Sequence, residues 1–385
     1  MPAKPTRRHF LVALSALVAA PLASHLVTRA AAAPSAAPAG WRGYRDAVVI
    51  DALGAPGKFG GDEVPLGPAA LDAVRASGLT AVNVTVSGVG SYQRNYDDTI
   101  RNIAYWNEQI AARPQHLLAV RSGADIDTAK RSGRLGLIYG FQDATPLGED
   151  LDRIETFHRL GVRVFQLTYN RRNLVGDGCL EPGNAGLSVF GRTLVERLNA
   201  RRVLIDLAHA GERTTREAID ASKAPIAISH TGCAALAPNP RNKTDDELRR
   251  LAGKGGVAGI FLMPFLRSRG QPMADDLMRH IEHAIDVCGE DHVGIGSDGV
   301  ISPFDVDAEF KRTFAEEVNK RRSLGISAPG EQPDVYPFLP DLNGADRFER
   351  IASLLSQRGH TDARVEKIIG GNFNRLFRET LGANT

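Results

Sequence analysis

Several apolar runs in this chain end on a side chain able to do chemistry: Asp51, Gln142 with Asp143, Tyr169, His209, His230 and Asp298. Two of these are histidines on consecutive units, in Asp206-Leu207-Ala208-His209 and Ile228-Ser229-His230. One histidine behind a strand is usually a structural residue bonded to backbone, whereas two on neighbouring strands can meet at a metal ion. Asp298 lies in Gly294-Ile295-Gly296-Ser297-Asp298-Gly299, where glycines permit a tight exit from a strand. It is placed either to accept a proton or orient water, or to cap the following loop. Arg241, in Pro240-Arg241-Asn242, precedes a helix, where a guanidinium can grip a carboxylate bidentately or simply be solvated. His280 and His283 sit three apart on a predicted helix and read as surface and packing residues, while His158 and His360 are isolated.

The elements that must position these residues are short β-branched runs alternating with amphipathic stretches, the pattern of βα units around a parallel sheet. Candidate strands are 47–53, 80–86, 117–121, 136–141, 163–167, 203–207, 225–229, 256–262 and 292–296. Nine candidates for an eight-stranded (β/α)8 TIM-type barrel leave one of them peripheral. Helices are predicted at 149–160, 187–200, 214–222, 244–254 and 275–288, with Thr244 and the acids after it at a helix start that the helix dipole favours. In a barrel the C-terminal strand ends surround the active site, which would gather the chemistry-bearing residues at one mouth. The segment 302–342, charged and then rich in Pro and Gly, is predicted to be an insertion, and 346–381 to form two C-terminal helices around Gly370-Gly371-Asn372.

The N-terminus stands apart from this fold. Thr6-Arg7-Arg8-His9-Phe10-Leu11, followed by the apolar run 12–23, is expected to be a twin-arginine export signal spanning 1–33, with a flexible leader at 34–40 and one barrel domain at 41–385. The competing reading is a membrane anchor, but the run falls short of the roughly 20 residues that span a bilayer. Localisation is then periplasmic or secreted, without a stable anchor after cleavage. Loss of Lys4, Arg7, Arg8 and Arg29 takes 47 bases to 43 against 45 acids, a net charge of −2, which gives no electrostatic case for nucleic acid. Cys179, Cys233 and Cys288 allow at most one internal disulfide, and a core of this size does not require one.

Taken in order, the motifs resemble those of the membrane (renal) dipeptidases. They are Gly161-Val162-Arg163 with Leu167-Thr168-Tyr169-Asn170, Asp206-Leu207-Ala208-His209, Ser229-His230-Thr231, Pro240-Arg241-Asn242 with Asp245-Asp246, His292 to Gly299, and Gly371-Asn372-Phe373. The resemblance runs from about residue 47 to the C-terminus. It implies an amidohydrolase-like barrel with two zinc ions bridged by a glutamate, water attacking a dipeptide bond, and in many members a homodimer. Carried over, it makes His209 and His230 ligands of one zinc, Asp298 the acid handling the nucleophilic water, and Arg241, with Asn242 and Tyr169, the substrate-binding group.

Departures from the family pattern fall on the other metal position. Leu53 and Ala55 stand where the family has a His-x-Asp pair, and neither binds metal. The bridging glutamate is Gln142, a weak ligand that cannot offset two dications, and a histidine near the substrate is replaced by Tyr169. The expected cofactor is therefore one zinc ion or none, and one zinc suffices to acidify a water. Within this resemblance Cys179 and Cys233 should both lie on the active-site side, as free thiols, a disulfide, or replacement thiolate ligands. Three functions remain open: an exported hydrolase of a dipeptide or related small amide, a non-hydrolytic descendant that binds or matures a small peptide-like ligand, or a barrel whose tyrosine and cysteines serve a different reaction on a modified peptide.

Overall fold

The computed structural model describes residues 40–57, 65–89 and 95–382. The predicted export signal and all but the last residue of the leader lie outside them. Eleven strands occur among the described residues: β1 (Ile50–Asp51), β2 (Gly54–Ala55), β3 (Ala81–Thr85), β4 (Leu117–Ala119), β5 (Leu135–Phe141), β6 (Val162–Gln166), β7 (Leu204–Asp206), β8 (Ala227–Thr231), β9 (Val257–Ile260), β10 (Val293–Ile295) and β11 (Gly299–Val300). Eight run parallel in the order β1-β3-β5-β6-β7-β8-β9-β10, and β4 pairs only with β5. The peripheral candidate is therefore 117–121.

Backbone bonds draw the two ends of this sheet together. Ala52 N donates to Ile295 O at 3.0 Å and Asp298 N to Leu53 O at 2.8 Å, and β11 pairs with β2 beyond them. Asp51 fastens the seam from its side chain, accepting Ser297 N at 2.7 Å and Ser297 Oγ at 2.5 Å. Asp51 is thus a structural acid and not a member of the chemical set. The glycines near the seam serve close approach, not only a tight exit: a Cβ on Gly296 would lie 2.0 Å from the Ser229 carbonyl oxygen.

Twelve helices surround the sheet: α1 (Pro68–Ser77), α2 (Asn95–Ala112), α3 (Gly123–Ser132), α4 (Arg153–Arg159), α5 (Val189–Ala200), α6 (Glu212–Ala221), α7 (Asp245–Gly253), α8 (Ala274–Cys288), α9 (Ala308–Ser323), α10 (Arg347–Gln357), α11 (Asp362–Glu366) and α12 (Asn372–Leu381). Thr244 caps α7 in a capping box with Glu247, which satisfies two otherwise orphaned backbone donors. The C-terminal part holds three helices where two were expected, because Arg358 and Gly359 separate α10 from α11.

One buried cluster joins Ile50, Ala81, Ile138, Val164, Leu204, Ala227 and Val257 to Phe373 and Phe377. Residues from seven strands can meet only inside the barrel, so α12 plugs its interior with two aromatic rings. Burying each ring contributes on the order of 1.5–3 kcal/mol. The N-terminal residues of the strands pack against this plug, which leaves their C-terminal ends to carry polar groups.

Candidate active site

His209 follows β7 and His230 lies within β8, so two adjacent strands bring their rings together. Nε2 of one is 2.9 Å from Nε2 of the other, and both residues are buried. Neighbouring groups fix the tautomers. Asn170 Nδ2 donates to Ile326 O, so its Oδ1 must accept the proton of His209 Nδ1, at 2.6 Å. Ser229 Oγ donates to Asp206 at 2.5 Å and is therefore the acceptor for His230 Nδ1 at 2.8 Å. Both Nε2 atoms consequently turn lone pairs toward each other. Burial, followed by the nearby Arg241 charge, holds both imidazoles well below their ordinary pKa and keeps them neutral.

Arg241 enters this cluster from the loop after β8. Its Nη1 donates to Ala208 O at 2.7 Å and its Nη2 lies 3.1 Å from His209 Nε2. The side chain is almost fully buried, yet among the described residues no carboxylate forms an ion pair with it. It also bonds the Cys179 thiol, and the guanidinium protons left over are available to another acceptor. Asn242, beside it, spends its amide nitrogen on the carbonyls of Ala237 and Phe265 at 2.7 and 2.8 Å, so it holds the loop.

Asp298 adopts a left-handed backbone, φ 55°, just past β10. Burial raises its pKa to about 6, against the pull of Arg241 and Arg321, and Glu331 adds to the rise. Tyr169 stacks on His209 with ring centroids 4.3 Å apart at 24°. Its hydroxyl accepts from Nη1 and Nη2 of Arg321, both at 3.3 Å, and Arg321 is itself paired to Glu331 at 2.7 Å.

Arg321 and Glu331 both come from the 302–342 insertion and were not anticipated, since no motif marks them. Asn170 and Asp206 lay inside quoted motifs without a role. For Asp206 the available signal was its place three residues before His209, because ligand imidazoles are oriented by acceptors behind them. Asn170 lies 39 residues from His209, and only its place next to Tyr169 pointed to it.

Gln142 points its amide nitrogen to Thr85 Oγ1 at 2.7 Å, and Asp143 accepts from Asn173 at 3.0 Å. Cys179 does sit at the site, with Sγ 3.3 Å from Asn170 Oδ1. Cys233 turns away, its Sγ 3.4 Å from His280 O, so no Cys179–Cys233 disulfide exists, and all three cysteines are free thiols. His280 is a buried staple, not a surface residue: its Nδ1 accepts from Cys233 N at 2.9 Å and its Nε2 meets Leu266 O at 3.0 Å.

A dinuclear zinc centre does not fit these residues. Leu53 and Ala55 offer no donors, and among the described residues no group of three or more His, Cys, Asp or Glu is disposed to hold an ion. His209 and His230 are the residues that would hold a single ion. Two neutral imidazoles with opposed lone pairs, each anchored through Nδ1, are a donor set that calls for a shared cation.

The sequence model of the membrane dipeptidases, peptidase family M19, matches residues 71–307. The chain belongs to the membrane dipeptidase family. Dipeptidase tcpJ of Claviceps purpurea is 30% identical over 286 residues, 73% of this chain and 60% of that protein. Dipeptidase verJ of Clonostachys rogersoniana is 31% identical over 72% of this chain and 64% of its own length. This family member thus spans less than two thirds of those relatives. Among solved structures, an amidohydrolase from Pseudomonas aeruginosa is 31% identical, with TM-score 0.75 over 88% of this chain and 98% of that one. A metallopeptidase from Rhodobacter sphaeroides, liganded with a phosphinate mimic of L-Ala-D-Ala, shares the fold at 19% identity and TM-score 0.69, over 87% and 99% of the two chains.

Proposed function

We propose that this family member is an exported hydrolase of dipeptides or related small amides, acting in the periplasm or outside the cell. The observation that carries the reading is Arg241, a buried guanidinium without a carboxylate partner, set against the imidazole pair and within electrostatic reach of Asp298. A buried charge of this kind is costly unless a ligand pairs with it, and a peptide's terminal carboxylate matches its remaining donors.

In this reading Arg241 grips the carboxylate and fixes the scissile amide in the mouth. Asp298 takes a proton from water as its oxygen bonds to the amide carbon. It then returns that proton to the departing amine. A carboxyl titrating near 6 suits both halves of that exchange. One zinc ion, held by His209 and His230, would add Lewis acidity to the same step. The twin-arginine motif supports export of the folded protein.

The test is cleavage of a broad dipeptide panel, D-residues included, by the purified protein with added zinc. No turnover of any member would overturn the hydrolase reading. One observation favours the rival, a binding or maturation protein: Arg241 itself donates to His209 Nε2, the lone pair a metal would use. Under that reading a phosphinate dipeptide mimic or a free amino acid still binds in the presence of chelator.

A further inference from the structure

The insertion reaches into the site through a chain of three side chains. Glu331 is held by Ala328 N at 2.9 Å and Ser327 Oγ at 3.0 Å. It fixes the Arg321 guanidinium by two bonds, Nε to Oε2 at 2.7 Å and Nη2 to Oε1 at 3.1 Å. The two Nη groups of that guanidinium then both donate to the Tyr169 hydroxyl. The ring cannot turn away, because it stacks on His209. A phenol oxygen has one proton to give and lone pairs to accept with, and here both Nη groups of one guanidinium donate to it from the same side. Its own proton is left to point elsewhere. Asp298 and Arg241 both act electrostatically on this phenol, which places it at the mouth where the ligand would lie.

We propose that Arg321 is a positioning residue for Tyr169. Held in place by Glu331, it makes the phenol oxygen an acceptor on the side it faces, so that the Tyr169 O–H is donated to the carbonyl oxygen of the scissile amide. This rests on the hydrolase reading above. As water oxygen bonds to the amide carbon, its proton passes to Asp298 and the carbonyl π pair moves onto oxygen. Tyr169 donates a hydrogen bond to that growing charge and keeps its proton. The adjacent cation polarises the phenol and strengthens the bond.

The experiment is a double-mutant cycle on affinity for a phosphinate dipeptide mimic, whose oxyanion copies the attacked carbonyl, using the full chain. Tyr169→Phe and Arg321→Met are each expected to weaken binding about tenfold, and the double variant no more than either. Binding of a free amino acid, held by Arg241, should stay within about twofold in all of them. Lys320→Ala, an exposed cation on the same helix, should change nothing. Additive losses of about a hundredfold, or an unaffected Arg321→Met, overturn the proposal while leaving the hydrolase reading in place. Should Arg321→Met fail to fold, Glu331→Gln carries the same cycle.

Failure of the wild-type protein to bind the mimic would instead count against the hydrolase reading. The link between Arg321 and Tyr169 is then decided in the free protein by the tyrosine-ζ carbon signal of Tyr169. A shift of that signal in Arg321→Met or Glu331→Gln supports the positioning role, and an unmoved signal overturns it.

Discussion

Nε2 of His209 lies 2.9 Å from Nε2 of His230, and the Nδ1 atoms of both rings are already committed to Asn170 and Ser229. Two neutral imidazoles do not hold that arrangement by mutual attraction. The relationship calls for a shared cation, and Arg241 or a metal ion can each supply one.

Metal content follows from this. The chain is expected to carry about one zinc, not two, and His209→Ala with His230→Ala should abolish it. Elemental mass spectrometry of the purified protein reads this directly. Two ions per chain would mean that donors besides the two imidazoles contribute.

Activity should depend on pH through Asp298. Burial raises its pKa to about 6, so below that value the carboxyl is protonated and cannot accept a proton from water. The expected kcat/KM profile rises as pH increases through about 6 and then levels, with the rise absent in Asp298→Asn. A profile flat from pH 5 to 8, about the range spanned by this titration, would remove Asp298 from that role.

Arg241→Ala should weaken binding of a peptide carboxylate by about a hundredfold, the scale of a charge-assisted bidentate contact in a buried site. Arg241→Lys should recover only part of it, since an ammonium cannot match the planar fork. Calorimetry with a phosphinate dipeptide mimic separates the three proteins. Equal affinities would show that the carboxylate binds elsewhere.

Asp51 supports the seam, so its loss should register in stability. Asp51→Ala leaves Ser297 N and Leu53 N without their acceptor and should cost about 2–3 kcal/mol in denaturant unfolding. Asp51→Asn keeps an acceptor and should cost less than about 1 kcal/mol. The sign of the pH effect also follows: burial raises the folded-state pKa to about 7 from 3.8. Its stabilising contribution is therefore full below the unfolded value and falls as pH rises through about 7. Asp51→Asn should flatten that part of the stability curve.

The sequence by itself determined the barrel, the ends of its strands and the adjacency of His209 and His230. Strand patterning and chain order carry that information locally, since a βα unit must place its neighbour beside it and its C-terminal end at the shared mouth. It also fixed what is missing: Leu53 and Ala55 cannot bind metal in any conformation. Only the tertiary structure separated two acids that read alike. Asp51 and Asp298 read alike in sequence, yet one closes the seam with Ser297 and the other adopts a left-handed turn beside Arg241. The same holds for Cys233, which the family resemblance placed on the active-site side and which turns instead onto His280. Arg321 reaches Tyr169 across 152 residues of chain through an insertion without periodicity or motif. Side-chain direction and long-range charge pairing depend on how distant segments pack, and no local pattern encodes them.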